Sequence, residues 1–157
     1  MTRSTSEAKT EMPAFRIDRI VEWGECDPAG LVFYPTFFRW MDHTFHAFLI
    51  DLGYSQNVLF EDYSGLTAPL VEVGCTFHTP VSYGDHVTIS LDIAKVGTTS
   101  LKLLYRVDNK GETAAEGREA RVFARPNLGL IEKQPIPPEI RARFDALAMA
   151  SSEKKEA

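Results

Sequence analysis

The sequence holds 157 residues, 44% of them hydrophobic and 25% charged, with a formal net charge of -5. That length suits one domain and leaves little room for two, and the composition can build a core, which excludes a disordered chain. The acidic balance argues against a general nucleic-acid binder but not against a small anionic ligand, which needs only a local basic patch.

Residues 1–13 are polar and end in Met12-Pro13, so they are expected to form a flexible tail. They lack the apolar run of a secretory signal, and no stretch approaches the length that spans a bilayer. Two cysteines, Cys26 and Cys75, are too few for a disulfide scaffold and form no CxxC pair. A cytoplasmic protein with reduced thiols and no membrane association is the expectation.

The first strand is predicted over Phe15 to Trp23. Phe15, Ile17, Val21 and Trp23 share one parity with Arg19, although Ile20 breaks strict alternation. A turn follows over Gly24–Gly30, marked by Asp-Pro and Ala-Gly. Next comes a helix from Pro35 to Leu52, with proline in its first turn and Gly53 just past its end. Phe37, Phe38, Met41, Phe45, Phe48, Leu49 and Leu52 recur at helical spacing, and Trp40 and Ile50 widen the stripe to most of the circumference. Such a helix should be buried. A short helix is predicted around Gln56–Glu61. Four strand-like runs follow, Ala68–Pro80, Asp85–Val96, Ser100–Asp108 and Glu112–Arg125, with hairpin turns at Gly97-Thr98 and Asn109-Lys110-Gly111. An amphipathic helix over Pro137–Met149 carries Ile140, Phe144, Leu147 and Ala148. The polar residues 150–157 read as a second flexible tail, leaving a single domain over 14–149.

A helix that is apolar on nearly all sides needs a sheet curled about it, and consecutive hairpins supply one. The predicted class is α+β, with a long central helix wrapped by a five-stranded antiparallel sheet, the hotdog arrangement. One protomer need not cover the helix fully, so at least a dimer is expected.

Asp27 lies in the turn just before this helix. A helix start presents unpaired N–H groups and the positive end of a dipole, which would polarise a carbonyl oxygen placed there. A carboxylate a few residues upstream could attack that carbonyl or direct water at it. Aspartate before proline is equally a plain turn former, bonding a nearby N–H. On spacing alone both readings stand.

The segment Trp23-Gly24-Glu25-Cys26-Asp27-Pro28-Ala29-Gly30-Leu31-Val32-Phe33-Tyr34-Pro35, followed by Phe38-Arg39-Trp40-Met41-Asp42, resembles the signature of the 4-hydroxybenzoyl-CoA thioesterase family, in its Pseudomonas-type branch. Weaker likeness continues through Thr67-Ala68-Pro69-Leu70-Val71, Val81-Ser82-Tyr83-Gly84-Asp85 and Ala120-Arg121-Val122-Phe123. The resemblance implies a thioesterase acting on an aromatic (4-hydroxybenzoyl- or benzoyl-like) or medium-length acyl-CoA. It implies Asp27 as nucleophile or general base, and the Tyr34 backbone N–H as the donor polarising the thioester carbonyl. Asp42 matches an acidic position near the acyl pocket of a neighbouring subunit. The family implies no metal and no cofactor, since coenzyme A is part of the substrate, and a homodimer or a homotetramer of paired dimers. Two departures stand out. Thr36-Phe37-Phe38 replaces a more polar stretch, and the loop Lys95–Ser100 lacks the arginines that can hold the CoA nucleotide.

Arg121 and Arg125 share one parity of the last strand, with Lys102 and Arg106 on the strand before it. Together they could bind the phosphates of an acyl-CoA, or form a solvated strand face. The family pattern supports Arg121. His43, His46 and Cys26 are remote candidates for a metal site, and Cys26 would need an activating base to serve as nucleophile. Two rival functions remain open: a hotdog enoyl-CoA hydratase or dehydratase, and a non-catalytic acyl-CoA or acyl-carrier binding module.

Overall fold

A computed structural model describes residues 12–156 of the chain. The tail predicted over residues 1–13 falls almost wholly outside the described residues. Strand β1, Phe15–Ile20, points Phe15, Ile17 and Arg19 inward and leaves Arg16, Asp18 and Ile20 exposed, as its alternation predicts. It is shorter than expected, because Trp23–Glu25 forms a turn of 3₁₀ helix. Helix α1 spans Tyr34–Asp51 and the short α2 spans Gln56–Asp62, with Ser55 capping α2 by accepting from the Val58 amide. Strands β2 (Leu70–Phe77), β3 (His86–Val96), β4 (Ser100–Asn109) and β5 (Glu112–Val122) follow.

These five strands form one antiparallel sheet in the order β1-β3-β4-β5-β2. The β4–β5 hairpin turns through Lys110 and Gly111, both at positive φ (53° and 78°), the backbone a tight two-residue hairpin needs. The predicted hotdog fold is therefore present: α1 lies along the concave face of the sheet. Its inward residues Phe37, Trp40, Met41, Phe45, Phe48 and Leu49 are buried against Ile89, Leu91, Leu101 and Leu103. Burial of each large side chain stabilises by about 1.5–3 kcal/mol. At Gly117 of β5 the approach is so close that a Cβ would lie 2.1 Å from the Met41 sulfur, so any larger residue there would force the Met41 side chain to move.

Four findings differ from the sequence reading. Helix α1 is buried on one face only: Arg39, Asp42 and His43 are exposed and Ile50 is 63% exposed. The final strand run breaks at Phe123, after which β6 (Ala124–Asn127) and β7 (Leu130–Lys133) form a separate hairpin through Leu128 and Gly129. Helix α3 then runs Pro138–Glu156, past the boundary expected at residue 149. It buries Ile140 and Phe144, the latter ring 6.1 Å from both Phe48 and Phe123. Edge strand β2 is also more open than its apolar run suggested, with Val71, Val73 and Phe77 exposed. No described helix is long and apolar enough to cross a membrane.

Candidate active site

The chain between the 3₁₀ turn and α1 folds back on itself. Asp27 N–H donates to the Leu31 carbonyl (2.8 Å) and Gly30 N–H donates to the Asp27 carbonyl (2.9 Å), with Gly30 at φ 76°. Bridges Cys26–Val32 and Leu31–Ser82 anchor this loop to the chain entering β3. The Asp27 Oδ1 accepts from the amides of Ala29 (2.9 Å) and Leu31 (3.3 Å). The turn-forming role is thus real, and it occupies one oxygen only. Among the described residues Oδ2 has no protein donor.

Phe33 is the N-cap of α1, in extended conformation, and Pro35 sits in the first turn. The Phe33 amide donates to the Glu25 carbonyl (3.0 Å) and the Thr36 amide to the Phe33 carbonyl (2.9 Å). Between them the Tyr34 amide finds no acceptor among the described residues, so the helix start offers a free donor. Beside it lies a cavity of about 270 Å³ lined by Leu31, Val32, Tyr34, Phe37, Phe77 and Val81. Phe37 and Phe77 meet there edge to face at 5.1 Å.

Glu25, part of the family-like segment but given no role there, ties this loop to the core. Its Oε1 accepts from Trp40 Nε1 (2.8 Å) and from Arg19 Nη2, and its Oε2 accepts from the Glu22 amide (2.9 Å). Its carbonyl accepts from the Phe33 amide (3.0 Å) and the Thr36 hydroxyl (3.2 Å). The Arg19 guanidinium stacks over the Trp40 ring at 5.1 Å.

Asp42 lies elsewhere, on the uncovered face of α1. It lines a second, more open depression of about 510 Å³ with Phe38, Arg39, His43 and His46. Arg121 holds it from within: Nη2 donates to Asp42 Oδ1 at 2.8 Å. Arg121 itself is 3% exposed, its guanidinium turned to protein partners. Its Nε and Nη2 also bond Glu119 (2.9 and 3.2 Å), its Nη1 bonds the Ala68 carbonyl (3.3 Å), and the guanidinium lies 4.1 Å from the Phe45 ring centre. Burial pulls this guanidinium's pKa down, but Glu119 and Asp42 outweigh burial and raise it, so the charge is kept. Burial, then Glu119, pushes the neighbouring Tyr105 phenol far above its usual range.

Arg125 is half-buried and spends Nε and Nη2 on the Tyr63 carbonyl and Nη1 on Gln134. Lys102 and Arg106 face solvent on the other side of the sheet from Arg121. The four basic side chains therefore do not gather on one face. Cys26 gains no activating base: burial, then the carboxylates of Glu25, Asp27 and Asp85, raise its thiol. The described residues contain no group of three or more His, Cys, Asp or Glu side chains placed to hold a metal ion.

Comparison with known proteins places these features in context. Residues 29–116, more than half of the chain, match the family model described as Thioesterase superfamily. The match begins two residues past Asp27. A 1,4-dihydroxy-2-naphthoyl-CoA hydrolase of Thermosynechococcus vestitus is 28% identical over 93 residues, 59% of this chain and 63% of the relative. A 4-hydroxybenzoyl-CoA thioesterase of Pseudomonas sp. is 35% identical over 72 residues, 44% of this chain and 50% of the relative. The chain thus spans less than two thirds of the length of these two relatives. Among solved structures, a gentisyl-coenzyme A thioesterase superposes with a TM-score of 0.73 at 33% identity, covering 81% of this chain and 99% of the other.

Proposed function

The chain belongs to the thioesterase superfamily, and from that premise we propose that it hydrolyses the thioester of an aromatic acyl-CoA to the free acid and coenzyme A. One observation carries the reading. A carboxylate with one oxygen free, Asp27 Oδ2, and an unpartnered helix-start amide, Tyr34 N–H, sit in the same short segment beside an apolar cavity. The relatives, each named for an aromatic acyl-CoA, support the acyl class.

In this reading the thioester carbonyl accepts the Tyr34 N–H, and the positive end of α1 stabilises the charge that develops on its oxygen. One such donor is worth about 10²–10³ in rate. Asp27 either bonds to the acyl carbon as the thiolate leaves, with water then cleaving the anhydride, or takes a proton from the attacking water. Both routes consume one water and yield the carboxylic acid and the thiol. The residues act without a cofactor of their own. Asp42, held by Arg121, stands by resemblance near the acyl group of a neighbouring subunit. The open edge of β2 and the uncovered face of α1 support a homodimer.

The test is Asp27→Asn, which keeps the Oδ1 acceptor and removes the charge. Thiol release from a panel of aromatic acyl-CoA esters, followed with a thiol-reactive dye, should fall about 10²–10⁴-fold with the fold intact. Near-normal release refutes the mechanism. Loss of enoyl absorbance without thiol release would instead favour the hydratase reading.

A further inference from the structure

Hydrolysis as described needs two groups at a fixed separation: the Asp27 carboxylate and the Tyr34 amide. The turn's own hydrogen bonds shape the chain around Asp27, while Tyr34 is the first residue of a helix whose N-cap makes no side-chain bond. The placement of that turn against the helix start needs a further tie.

We propose that Glu25 is the positioning residue of this site, fixing the Asp27 carboxylate and the Tyr34 amide relative to each other. The proposal rests on the hydrolytic reading above and adds to it. The geometry is specific. Glu25 lies two residues before Asp27, and its carbonyl accepts the amide of Phe33, the residue immediately before Tyr34. It therefore joins the chain just before Asp27 to the chain just before Tyr34. Its side chain links three further parts of the molecule: Arg19 in β1, the Glu22 amide in the 3₁₀ turn, and Trp40 Nε1 in the second turn of α1. The Thr36 hydroxyl adds a second tie from α1 to the Glu25 carbonyl (3.2 Å).

The arrangement is not what stability alone would select. Glu25 and Arg19 have side chains only 13% and 23% exposed, where a paired charge gives little net stabilisation over apolar replacements. Arg19 Nε is buried with no acceptor among the described residues, a destabilising feature. A charged pair kept at that cost, directly under the turn that bears Asp27, fits a role in geometry. Glu25 makes no contact with the cavity beside Tyr34, so it acts through its neighbours and not on the substrate.

The test measures kcat and KM for an aromatic acyl-CoA in Glu25→Gln, Trp40→Phe and Asp27→Asn, and in Glu25→Gln combined with Asp27→Asn. Glu25→Gln keeps the shape but cannot accept at every site. Its kcat should fall about 10–100-fold, the scale of a misplacement near 1 Å, while KM stays within about twofold. Trp40→Phe removes one donor and should lower kcat in the same direction by less. It carries the test if Glu25→Gln proves unfolded at the assay temperature. In the Asp27→Asn background Glu25→Gln should change the residual rate by less than about twofold, because the carboxylate it positions is gone. A merely structural role would reduce the rate by the same factor in both backgrounds. That outcome, a loss confined to KM, or wild-type kcat in folded Glu25→Gln overturns the proposal. If Asp27→Asn itself turns over normally, the hydrolytic reading has failed first. If Asp27→Asn is inactive and Glu25→Gln is unimpaired, only the positioning role fails.

Discussion

Replacing Arg121 with methionine should destabilise this protein more than almost any other change of equal volume. The guanidinium makes four hydrogen bonds of 2.8–3.3 Å, to Glu119 twice, to Asp42 and to the Ala68 carbonyl. Methionine fills much of the space over Phe45 but supplies no donor. Glu119, whose side chain is 1% exposed, then keeps only the Tyr105 hydroxyl at 2.8 Å. An uncompensated buried charge costs about 3–5 kcal/mol. Asp42 adds little to that sum, because its side chain is 56% exposed and water can replace the lost partner. At about 2–4 °C per kcal/mol for a chain of this size, Tm should fall by about 6–20 °C. Urea unfolding followed by tryptophan fluorescence should show a lower midpoint at an unchanged slope. Removing the whole network with Tyr105→Phe, Glu119→Leu and Arg121→Met should recover most of the loss, since nothing charged is then left buried. Arg121→Met within about 1 kcal/mol of wild type, or a triple variant no more stable than the single one, would refute this account.

Two further outcomes follow from other parts of the sheet. The Asp85 carboxyl accepts from the Ser82 amide (2.9 Å) and Asn109 Nδ2 (2.9 Å) and faces Lys110 at 3.4 Å. The Ser82 bond leads the causes that hold it below its ordinary value of 3.8. A carboxylate depressed on folding contributes stability above its unfolded pKa and loses it as pH falls through the folded one. Asp85→Asn should therefore cost about 1–3 kcal/mol at pH 7, with the gap closing below about pH 4; a gap constant to pH 2 contradicts the assignment. On the open edge of β2, Val73→Lys should convert a dimer to a monomer in light scattering, and a wild-type chain that is already monomeric would sink the dimer reading.

Much of the fold was legible because its signals are local. Pro35 and Gly53 bracket α1 within one residue or two, and strict alternation from Val87 to Ile93 and the shared parity of Leu101, Leu103, Tyr105 and Val107 mark β3 and β4. The β6–β7 hairpin was not legible, since its two-residue turn is Leu128-Gly129 and not the asparagine-glycine that usually announces one. The buried place of Arg121 had a readable signal that parity of charge obscured. Register pairs Arg121 with Leu101, and directly paired residues share a face, so a core-facing Leu101 puts Arg121 inside. Of the candidate site, Asp27 and the helix start were readable from the turn chemistry and the family likeness. Glu25 was not, because its partners Arg19, Phe33 and Trp40 lie 6, 8 and 15 residues away and no spacing rule joins them.

The groups proposed to break the bond fall within the few residues from Asp27 to Tyr34, and that stretch also gives Leu31, Val32 and Tyr34 to the cavity wall, but the rest of the wall comes from distant chain: Phe37 on α1, Phe77 at the end of β2 and Val81 in the loop beyond. Under the proposed reading, reactivity is thus written in one stretch of the chain and selectivity in several, only one of them shared. Phe77 is 47% exposed on the edge strand, so a smaller or more polar side chain there would alter the wall without replacing any residue from Asp27 to Tyr34. On the proposed reading, a lineage carrying this scaffold could change which acid it releases by repainting the distant walls, while the Asp27–Tyr34 segment is inherited whole.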